Sequence, residues 1–369
     1  NLRKIIKFFL FSKWKFLYRK NYFLLFDGEG KAKKKLSSIL SHKDFSVLYT
    51  RGEEINFLIL FYAFFSHGLK NLSTNYLTEY IRKTNPKVIA TFLDTHNGFF
   101  RLKKIFPDKK FIAIQSGIKS KNYFKSLKCN LKSSKVDFYF TINKFYSKYL
   151  GKKINAYYIP IGSFNANQIK ITKSSKNEII FISKQSDNYD DPVPYHEFKI
   201  IDLISKYLEK KKIKLHILLK HDIKKDYLNY LQNKNIKNIK VIYPSNRDLL
   251  TSYKICQKYK LIINTDSTLG YEMLSLKKKV IFINYGSLEN SGWIKRNGYP
   301  ITPFGYPHNN FGNNGFFWTN FFNKKKIINM IEKNYSMREL EWCNKNFKVV
   351  SSVIPRDEDN KIVSNYLKR

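Results

Sequence analysis

A strand that runs into hydroxyl residues and then into a helix is predicted at residues 261–276, and such a pattern can bind an anion. Residues 261–264 (Leu-Ile-Ile-Asn) are a short apolar run typical of a buried strand. Residues 265–268 (Thr-Asp-Ser-Thr) offer side chains that cap helices, and residues 269–276 have the spacing of a helix with one buried face. The first turn of a helix presents free backbone N–H groups and a partial positive charge, which together favour phosphate. An ordinary capped helix is the alternative interpretation.

The residues of this segment have the chemistry to hold a nucleotide. Ser267 and Thr268 place hydroxyls at the predicted helix start, Gly270 follows in the same turn, and Glu272 lies one turn further on. A carboxylate at that position can accept hydrogen bonds from the ribose beside the phosphate. The segment therefore predicts a nucleotide site.

A second phosphate-type pair ends the apolar run at residues 214–220. Lys220 supplies a point charge and His221 a hydrogen-bond donor, a combination suited to a phosphate oxygen. A purely structural histidine is the alternative. Two such sites after strands of one sheet favour the nucleotide interpretation.

Carboxylates also follow predicted strands. Asp94 comes directly after residues 88–93, and Asp187 and Asp190 follow residues 179–183. A carboxylate in this position can act as a base, a nucleophile or a ligand of an acceptor sugar. The alternatives are a helix cap for Asp94 and a solvated loop for the other two.

Polar residues near Asp94 are predicted to line the acceptor side of a cleft. Asn97 lies three residues after Asp94, and Gln115, Ser116 and Gly117 follow the strand predicted at residues 111–114. For these last three residues a plain turn is the alternative. The glycine permits close backbone approach, and the glutamine both donates and accepts hydrogen bonds.

Short apolar runs alternate with helical stretches along the chain, which predicts an α/β fold. The predicted strands are at residues 22–26, 46–49, 88–93, 111–114, 138–142 and 157–161, and then at 179–183, 215–219, 241–243, 261–264 and 280–283. Two consecutive series of this kind indicate two open parallel sheets covered by helices. Ligands of such sheets bind beyond the carboxyl ends of the strands.

Composition narrows the function classes. The chain has 369 residues and 43% hydrophobic content, which argue against disorder. Its formal net charge of +40 favours polyanionic partners. The three cysteines, Cys129, Cys256 and Cys343, have no metal-binding spacing and indicate a reducing compartment. The sequence contains no GxxxxGK[ST], HExxH or CxxC motif, so the nucleotide-triphosphatase and metalloprotease classes have no support, and no metal or cofactor is expected.

Residues 1–20 interleave bulky apolar and basic side chains. A helix of this kind can lie on an anionic membrane surface, with aromatic side chains inward and lysines toward the headgroups. A helix packed on the domain is the alternative. With no run long enough to span a bilayer, we expect a cytoplasmic protein, peripheral on the inner face of the membrane.

Several of these segments resemble bacterial surface-carbohydrate (O-antigen or capsule) biosynthesis proteins. The resemblance rests on residues 88–97, 111–117, 159–163 and 266–272 and covers most of residues 85–285. More distantly the chain is similar to GT-B glycosyltransferases that use CMP-activated sugars, the sialyltransferases and Kdo transferases. In those families a His-Pro motif and a Ser-Ser or Ser-Thr motif hold the CMP phosphate. The corresponding positions here are Lys220-His221, with Asp222 in place of the proline, and Ser267-Thr268.

This resemblance implies a GT-B glycosyltransferase with two Rossmann-like domains that face each other across a cleft. The partners it implies are a nucleotide sugar, first CMP-Kdo and next a UDP-sugar, and a glycan or lipid-linked acceptor. If the enzyme resembles the retaining Kdo transferases, a carboxylate nucleophile is required, and Asp187 ranks ahead of Asp190 and Asp94. The expected ranges are residues 1–20 for the basic segment, 21–162 for the acceptor domain, 163–335 for the nucleotide-sugar domain, and 336–369 for helices that cross back to the first domain.

Two other classes are compatible with parts of the sequence. A sugar-nucleotide epimerase has the same fold and would act without an acceptor. A nucleic-acid-binding protein would use the basic surface, but no RRM, KH or helix-turn-helix signature is present and the aromatic residues lie largely in strand-like runs. We therefore expect no nucleic-acid partner.

Overall fold

A computed structural model describes most of the chain. The described residues are 11–27, 31–41, 44–50, 53–94, 96–119, 124, 127–183, 195–219, 229, 231–233, 238–244, 250–284, 302–308 and 311–368. The chain forms two compact units: residues 1–116, 127–164 and 360–369 make up the first, and residues 117–126 and 165–359 the second.

The first unit is built on a parallel sheet of six strands. Its strands and helices, in chain order, are β1 (Lys13–Lys15), β2 (Phe23–Asp27), α1 (Lys31–Leu36), β3 (Phe45–Tyr49), β4 (Glu54–Asn56), α2 (Phe57–His67), α3 (Leu72–Thr84), β5 (Val88–Thr91), α4 (Asn97–Ile105), β6 (Lys110–Ile114), β7 (Lys135–Thr141), α5 (Lys144–Leu150) and β8 (Asn155–Pro160). The strand order is β3-β2-β5-β6-β7-β8, and every neighbouring pair is parallel. Because helices cover both faces of such a sheet, central strands such as β5 are buried at every position and read as continuous apolar runs.

The second unit repeats this architecture. Its elements are β9 (Lys176–Ile182), α6 (Tyr195–Lys210), β10 (Leu215–Leu218), β11 (Ile239–Ile242), α7 (Thr251–Cys256), β12 (Tyr259–Asn264), α8 (Thr268–Ser275), β13 (Val280–Ile283), β14 (Trp318–Thr319), α9 (Lys324–Ser336) and α10 (Glu339–Val353). The strand order is β11-β10-β9-β12-β13-β14, again parallel throughout. The two predicted parallel sheets are confirmed, and each predicted strand overlaps an observed one.

The described part of the basic segment differs from the predicted helix. Residues 13–15 form strand β1, which pairs in parallel with β4, and the Lys13 backbone N–H donates to the Glu53 carbonyl at 3.0 Å. The aromatic and basic residues alternate here with the period of a strand, so Trp14 is less exposed than Lys13 and Lys15. The prediction of a helix is wrong for these residues, and residues 1–10 lie outside the described part.

The C-terminal region is divided between the units. Residues 336–359 belong to the second unit, and α11 (Lys361–Lys368) belongs to the first, where Tyr366 packs its ring 4.7 Å from that of Phe138. Helix α9 ends at Ser336 and α10 begins at Glu339, because the backbone is extended at Met337. Lys279 fixes this break: its Nζ donates to the Asn334, Tyr335 and Met337 carbonyls at 2.7, 3.2 and 2.6 Å.

No helix within the described ranges is both long enough and apolar enough to cross a bilayer.

Candidate functional site

The order of strands in the second unit defines where a ligand is expected. From β9 the chain builds outward through β10 and β11 on one side, and from β12 through β13 and β14 on the other. The winding direction therefore reverses between β9 and β12. Open α/β sheets bind ligands at such a switch point, beyond the carboxyl ends of the strands. The predicted anion-binding segment follows β12, so it lies at this point.

The first two polar residues after β12 are engaged within the unit. Thr265 is fully buried and its hydroxyl donates to Glu197 Oε1 at 3.3 Å. Asp266 accepts the Thr302 backbone N–H at 3.3 Å and the Thr302 hydroxyl. Both side chains therefore brace the loop that leads into α8.

Ser267 occupies the N-cap position of α8 without capping it. Its backbone is extended (φ −81°, ψ 136°), as an N-cap requires, but its side chain makes no capping hydrogen bond. Ser267 and Thr268 are both partly exposed, and the hydrogen bonds of the described residues leave the backbone N–H groups of Thr268 and Leu269 available. A hydroxyl and two N–H groups at the positive end of a helix can bind a phosphate oxygen.

Gly270 is required by the packing of α8 against β12. A Cβ at this position would lie 2.2 Å from Cγ and 2.4 Å from Nδ2 of Asn264, a fully buried side chain. Asn264 Nδ2 donates to the Ser267 carbonyl at 3.1 Å. The glycine thus lets the last residue of β12 hold the N-cap residue of α8 in place.

Thr268 joins this helix to a distant segment of the same unit. Its Oγ1 accepts the Ile118 backbone N–H at 3.2 Å, and a Cβ on Gly117 would lie 3.1 Å from the same oxygen. Gly117, which we expected among acceptor-side residues, is therefore placed beside a predicted donor-binding residue. A side chain at position 117 would crowd the Thr268 hydroxyl.

A buried carboxylate that the sequence reasoning missed lies at the switch point. Glu197, in the first turn of α6, is fully buried and accepts the Ser183 hydroxyl at 2.8 Å as well as that of Thr265. Ser183 directly follows β9 and Thr265 directly follows β12, so Glu197 ties together the two strands between which the winding reverses. The available signal was an acid in the first turn of a lysine-rich helix.

Glu272 and Tyr271 lie in the buried part of α8. Glu272 is 4% exposed, and the Tyr271 hydroxyl accepts the Gly305 backbone N–H at 3.3 Å. Burial, and secondarily the Asp266 charge, raises the pKa of Tyr271 well above its usual range. Tyr271 therefore stays neutral and anchors the segment around residue 305 to α8.

The first unit has its own switch point, between β2 and β5, and Asp94 lies just beyond it. Asp94 is 2% exposed, and Ser116, which follows β6, donates its hydroxyl to Asp94 Oδ1 at 3.2 Å. His96 caps α4, since its Nδ1 accepts the Phe99 backbone N–H at 3.2 Å. The residue that caps α4 is therefore His96 and not Asp94, the alternative that we considered.

Two other residues predicted on this side make structural contacts. Gln115 is buried, and its Oε1 accepts the Ile142 backbone N–H at 3.0 Å, which joins the ends of β6 and β7. Asn97 Oδ1 accepts the Cys129 thiol at 3.1 Å. These bonds hold the edge of the sheet on which Asp94 and Ser116 lie.

Four predicted site residues, Asp187, Asp190, Lys220 and His221, lie outside the described residues. Within the described ranges, no group of three or more His, Cys, Asp or Glu side chains is arranged to hold a metal ion.

A protein family described as "putative O-antigen biosynthesis protein" matches residues 112–369, which is more than half of the chain. The chain belongs to this family. The match includes the whole second unit, and therefore α8 and the polar residues at its start. No curated protein matches the chain in sequence.

Solved structures similar to this member of the O-antigen family have the GT-B fold. The UDP-GlcNAc 2-epimerase of Neisseria meningitidis, bound to UDP-GlcNAc, is 12% identical with a TM-score of 0.53 and covers 94% of this chain and 99% of its own. The enzyme of the same name from Methanocaldococcus jannaschii gives the same four values. TarM of Staphylococcus aureus, solved with UDP, is 13% identical over 80% of this chain and 58% of its own, at a TM-score of 0.48. At these identities the likeness to the two epimerases establishes the fold and nothing finer.

Proposed function

We propose that this protein is a glycosyltransferase that moves a sugar from a nucleotide sugar to a growing O-antigen or related surface glycan. The observation that carries the proposal is the start of α8, where Ser267 occupies the N-cap position with its hydroxyl uncommitted, at the switch point of the second sheet. The family supports a role in surface-glycan synthesis, and the fold is one that binds nucleotide sugars in the solved structures.

In this proposal α8 holds the donor phosphate. Ser267, Thr268 and the free N–H groups of the first turn accept the negative charge that grows on the leaving nucleotide. Because these donors are fixed by the Asn264 and Ile118 hydrogen bonds, they need no rearrangement as the sugar departs. Glu272 accepts the ribose hydroxyls. Charge stabilisation of this kind makes a metal unnecessary, and that independence is part of the proposal.

On the acceptor side we assign Asp94 as the base or acceptor ligand, held by Ser116 at 3.2 Å. A carboxylate there can take the proton of an acceptor hydroxyl. The assignment of a nucleophile to Asp187, with Asp190 behind it, stays a prediction, as does CMP-Kdo as donor. The proposal itself names the donor only as a nucleotide sugar.

A thermal-shift panel of CMP, UDP, GDP and CDP tests the donor site. A nucleotide at about 100 times its Kd stabilises the folded protein by ~2.7 kcal/mol, and the shift in melting temperature identifies the base. Addition of EDTA should leave that shift unchanged. No shift with any of the four would remove the support for a nucleotide site.

The variant Ser267→Ala separates binding from folding. A typical N-cap serine contributes ~1 kcal/mol of stability, but this hydroxyl makes no capping bond, so the variant should unfold as the wild type does. Its nucleotide affinity should fall roughly 10- to 100-fold, the effect of one hydrogen bond to a charged group. Ser275→Ala, in the same helix, is the matched control: it removes a 2.7 Å bond to the Glu272 carbonyl and should leave affinity unchanged.

The reaction class is tested with radiolabelled nucleotide sugars, including UDP-GlcNAc, with and without a glycan acceptor. Transfer of label only when acceptor is present supports the glycosyltransferase. Formation of an altered sugar or nucleotide sugar without acceptor would make the protein an epimerase instead.

A further inference from the structure

Helix α2 of the first unit exposes an unusual amount of apolar surface. Six of its eleven side chains are large, apolar and between 39% and 67% exposed; they form what we call the α2 surface: Phe57, Leu58, Phe61, Tyr62, Phe64 and Phe65. Only Ile59 and Ala63 of the helix are buried. The helix carries no charged residue before His67, although surface helices usually present charged residues to water.

The α2 surface continues into the N-terminal strand. Phe16 lies with its ring 5.6 Å from that of Phe57 and is 60% exposed, and Leu17 beside it is 85% exposed. Asn56 fixes this junction, because its Nδ2 donates to the Leu17 carbonyl at 3.0 Å while its Oδ1 caps α2 through the Ile59 N–H at 3.1 Å. The exposed rings are therefore held on an ordered framework. Contiguous exposed apolar surface of this kind is typical of interaction sites.

Basic side chains lie at both ends of the α2 surface. Residues 11–20 and 53–70 hold five of them, against two acids, and Lys15 pairs with one of these, Glu54, at 2.7 Å. Lys83 places its Nζ 4.0 Å from the centre of the Tyr62 ring. The five are Lys13, Lys15, Arg19, Lys20 and Lys70.

We infer that the α2 surface docks on an anionic lipid bilayer. A second copy of the chain would bring like charges together, whereas anionic headgroups complement the lysines and the acyl region accepts the rings. A helix of eleven residues is ~16 Å long, so it lies in the interface and does not cross the bilayer. The lipid contact is thus the α2 surface with the exposed Phe16 and Leu17 beside it, and not a helix at residues 1–20. This role is independent of the proposed function.

The test is binding of the full chain to vesicles of phosphatidylcholine, with and without phosphatidylglycerol. The wild type should bind the anionic vesicles and release them as salt screens the lysines. The double variant Phe61→Gln/Phe65→Gln should lose ~100-fold in affinity, because each ring removed from the interface accounts for roughly tenfold. Both side chains are about half exposed or more (48% and 67%), so the melting temperature should not fall.

The matched control is Leu340→Gln/Phe347→Gln on α10, which removes two exposed apolar side chains (73% and 70%) from the other unit and should not change binding. If the first double variant does not fold, Phe65→Gln alone serves, with a tenfold loss expected. Unchanged binding by the α2 variants, or failure of the wild type to bind anionic vesicles, overturns the inference. A wild-type dimer that these substitutions dissociate would assign the α2 surface to a second copy and also overturn it.

Discussion

Replacement of Gly270 by alanine should both destabilise the second unit and weaken nucleotide binding. The added methyl group would lie 2.2 Å from Asn264 Cγ and 2.4 Å from its Nδ2. Carbon atoms pack at about 3.5–4.0 Å, so the two elements must separate by more than ~1 Å. Asn264 is fully buried at the end of β12, so its side chain cannot yield by moving into solvent.

The magnitude follows from three opposing contributions. Overpacking in a buried contact costs about 1–3 kcal/mol. Loss of the Asn264–Ser267 hydrogen bond adds about 1 kcal/mol, and the preference of helices for alanine over glycine returns about 1 kcal/mol. We therefore expect the free energy of unfolding to fall by ~1–3 kcal/mol, with a drop of several degrees in melting temperature.

Urea unfolding and nucleotide titration measure the two effects on one variant. Gly98→Ala is the control, since it places the same methyl group in helix α4, where the nearest atom is the end of the partly exposed His96 ring at 2.9 Å. A shift of the His96 ring weakens its cap of α4 and costs about 1 kcal/mol, while the preference of helices for alanine offsets about as much. The net change should therefore stay within about 1 kcal/mol of the wild type. A Gly270→Ala protein with wild-type stability and wild-type affinity would refute the packing argument and the role of α8 with it.

Three further predictions concern buried polar groups in the second unit. Asn334→Ala should cost ~2 kcal/mol in urea unfolding, because Asn334 Oδ1 accepts the indole N–H of the buried Trp342; a cost near zero would contradict this. Burial lowers the pKa of Lys279 to about 8, so the unfolded chain binds more protons between that pH and the ordinary value of ~10.4. The wild type should therefore gain stability relative to Lys279→Met as the pH rises through this window, and a flat difference would contradict the shift. Cys256 is fully buried with a raised thiol pKa, so a thiol reagent should label the partly exposed Cys343 first and Cys256 only on unfolding.

The parallel sheets could be predicted because burial on both faces leaves a strong local signal. Strands β5, β6, β10 and β13 are apolar at nearly every position, and the predicted runs overlap them closely. The short strand β14 could not be predicted, because two residues carry no period. Strand β1 was mistaken for a helix because its interleaved aromatic and basic residues fit both periods over so short a stretch.

The candidate site was only partly predictable, for a physical reason. Strand, loop and helix start are local, so the placement of Ser267, Thr268 and Gly270 at a helix start could be predicted from one segment. The hydrogen-bond partners of this segment are distant in sequence. Ile118 lies 150 residues from Thr268, and Glu197 lies 68 residues from Thr265. A single sequence does not encode such contacts in any local pattern.

The most informative difference is at Ser267. Local rules predict that a serine in this position caps its helix, and the backbone does adopt the cap conformation. The carbonyl is held by Asn264, and the neighbouring Thr265 and Asp266 are committed to Glu197 and Thr302. The Ser267 hydroxyl thus makes no capping hydrogen bond, although the residues around it are fixed by theirs. Departures from local rules concentrate at functional sites, since a ligand supplies the missing partner. A phosphate oxygen beside the first turn of α8 would complete the N-cap bonding that the chain itself leaves open.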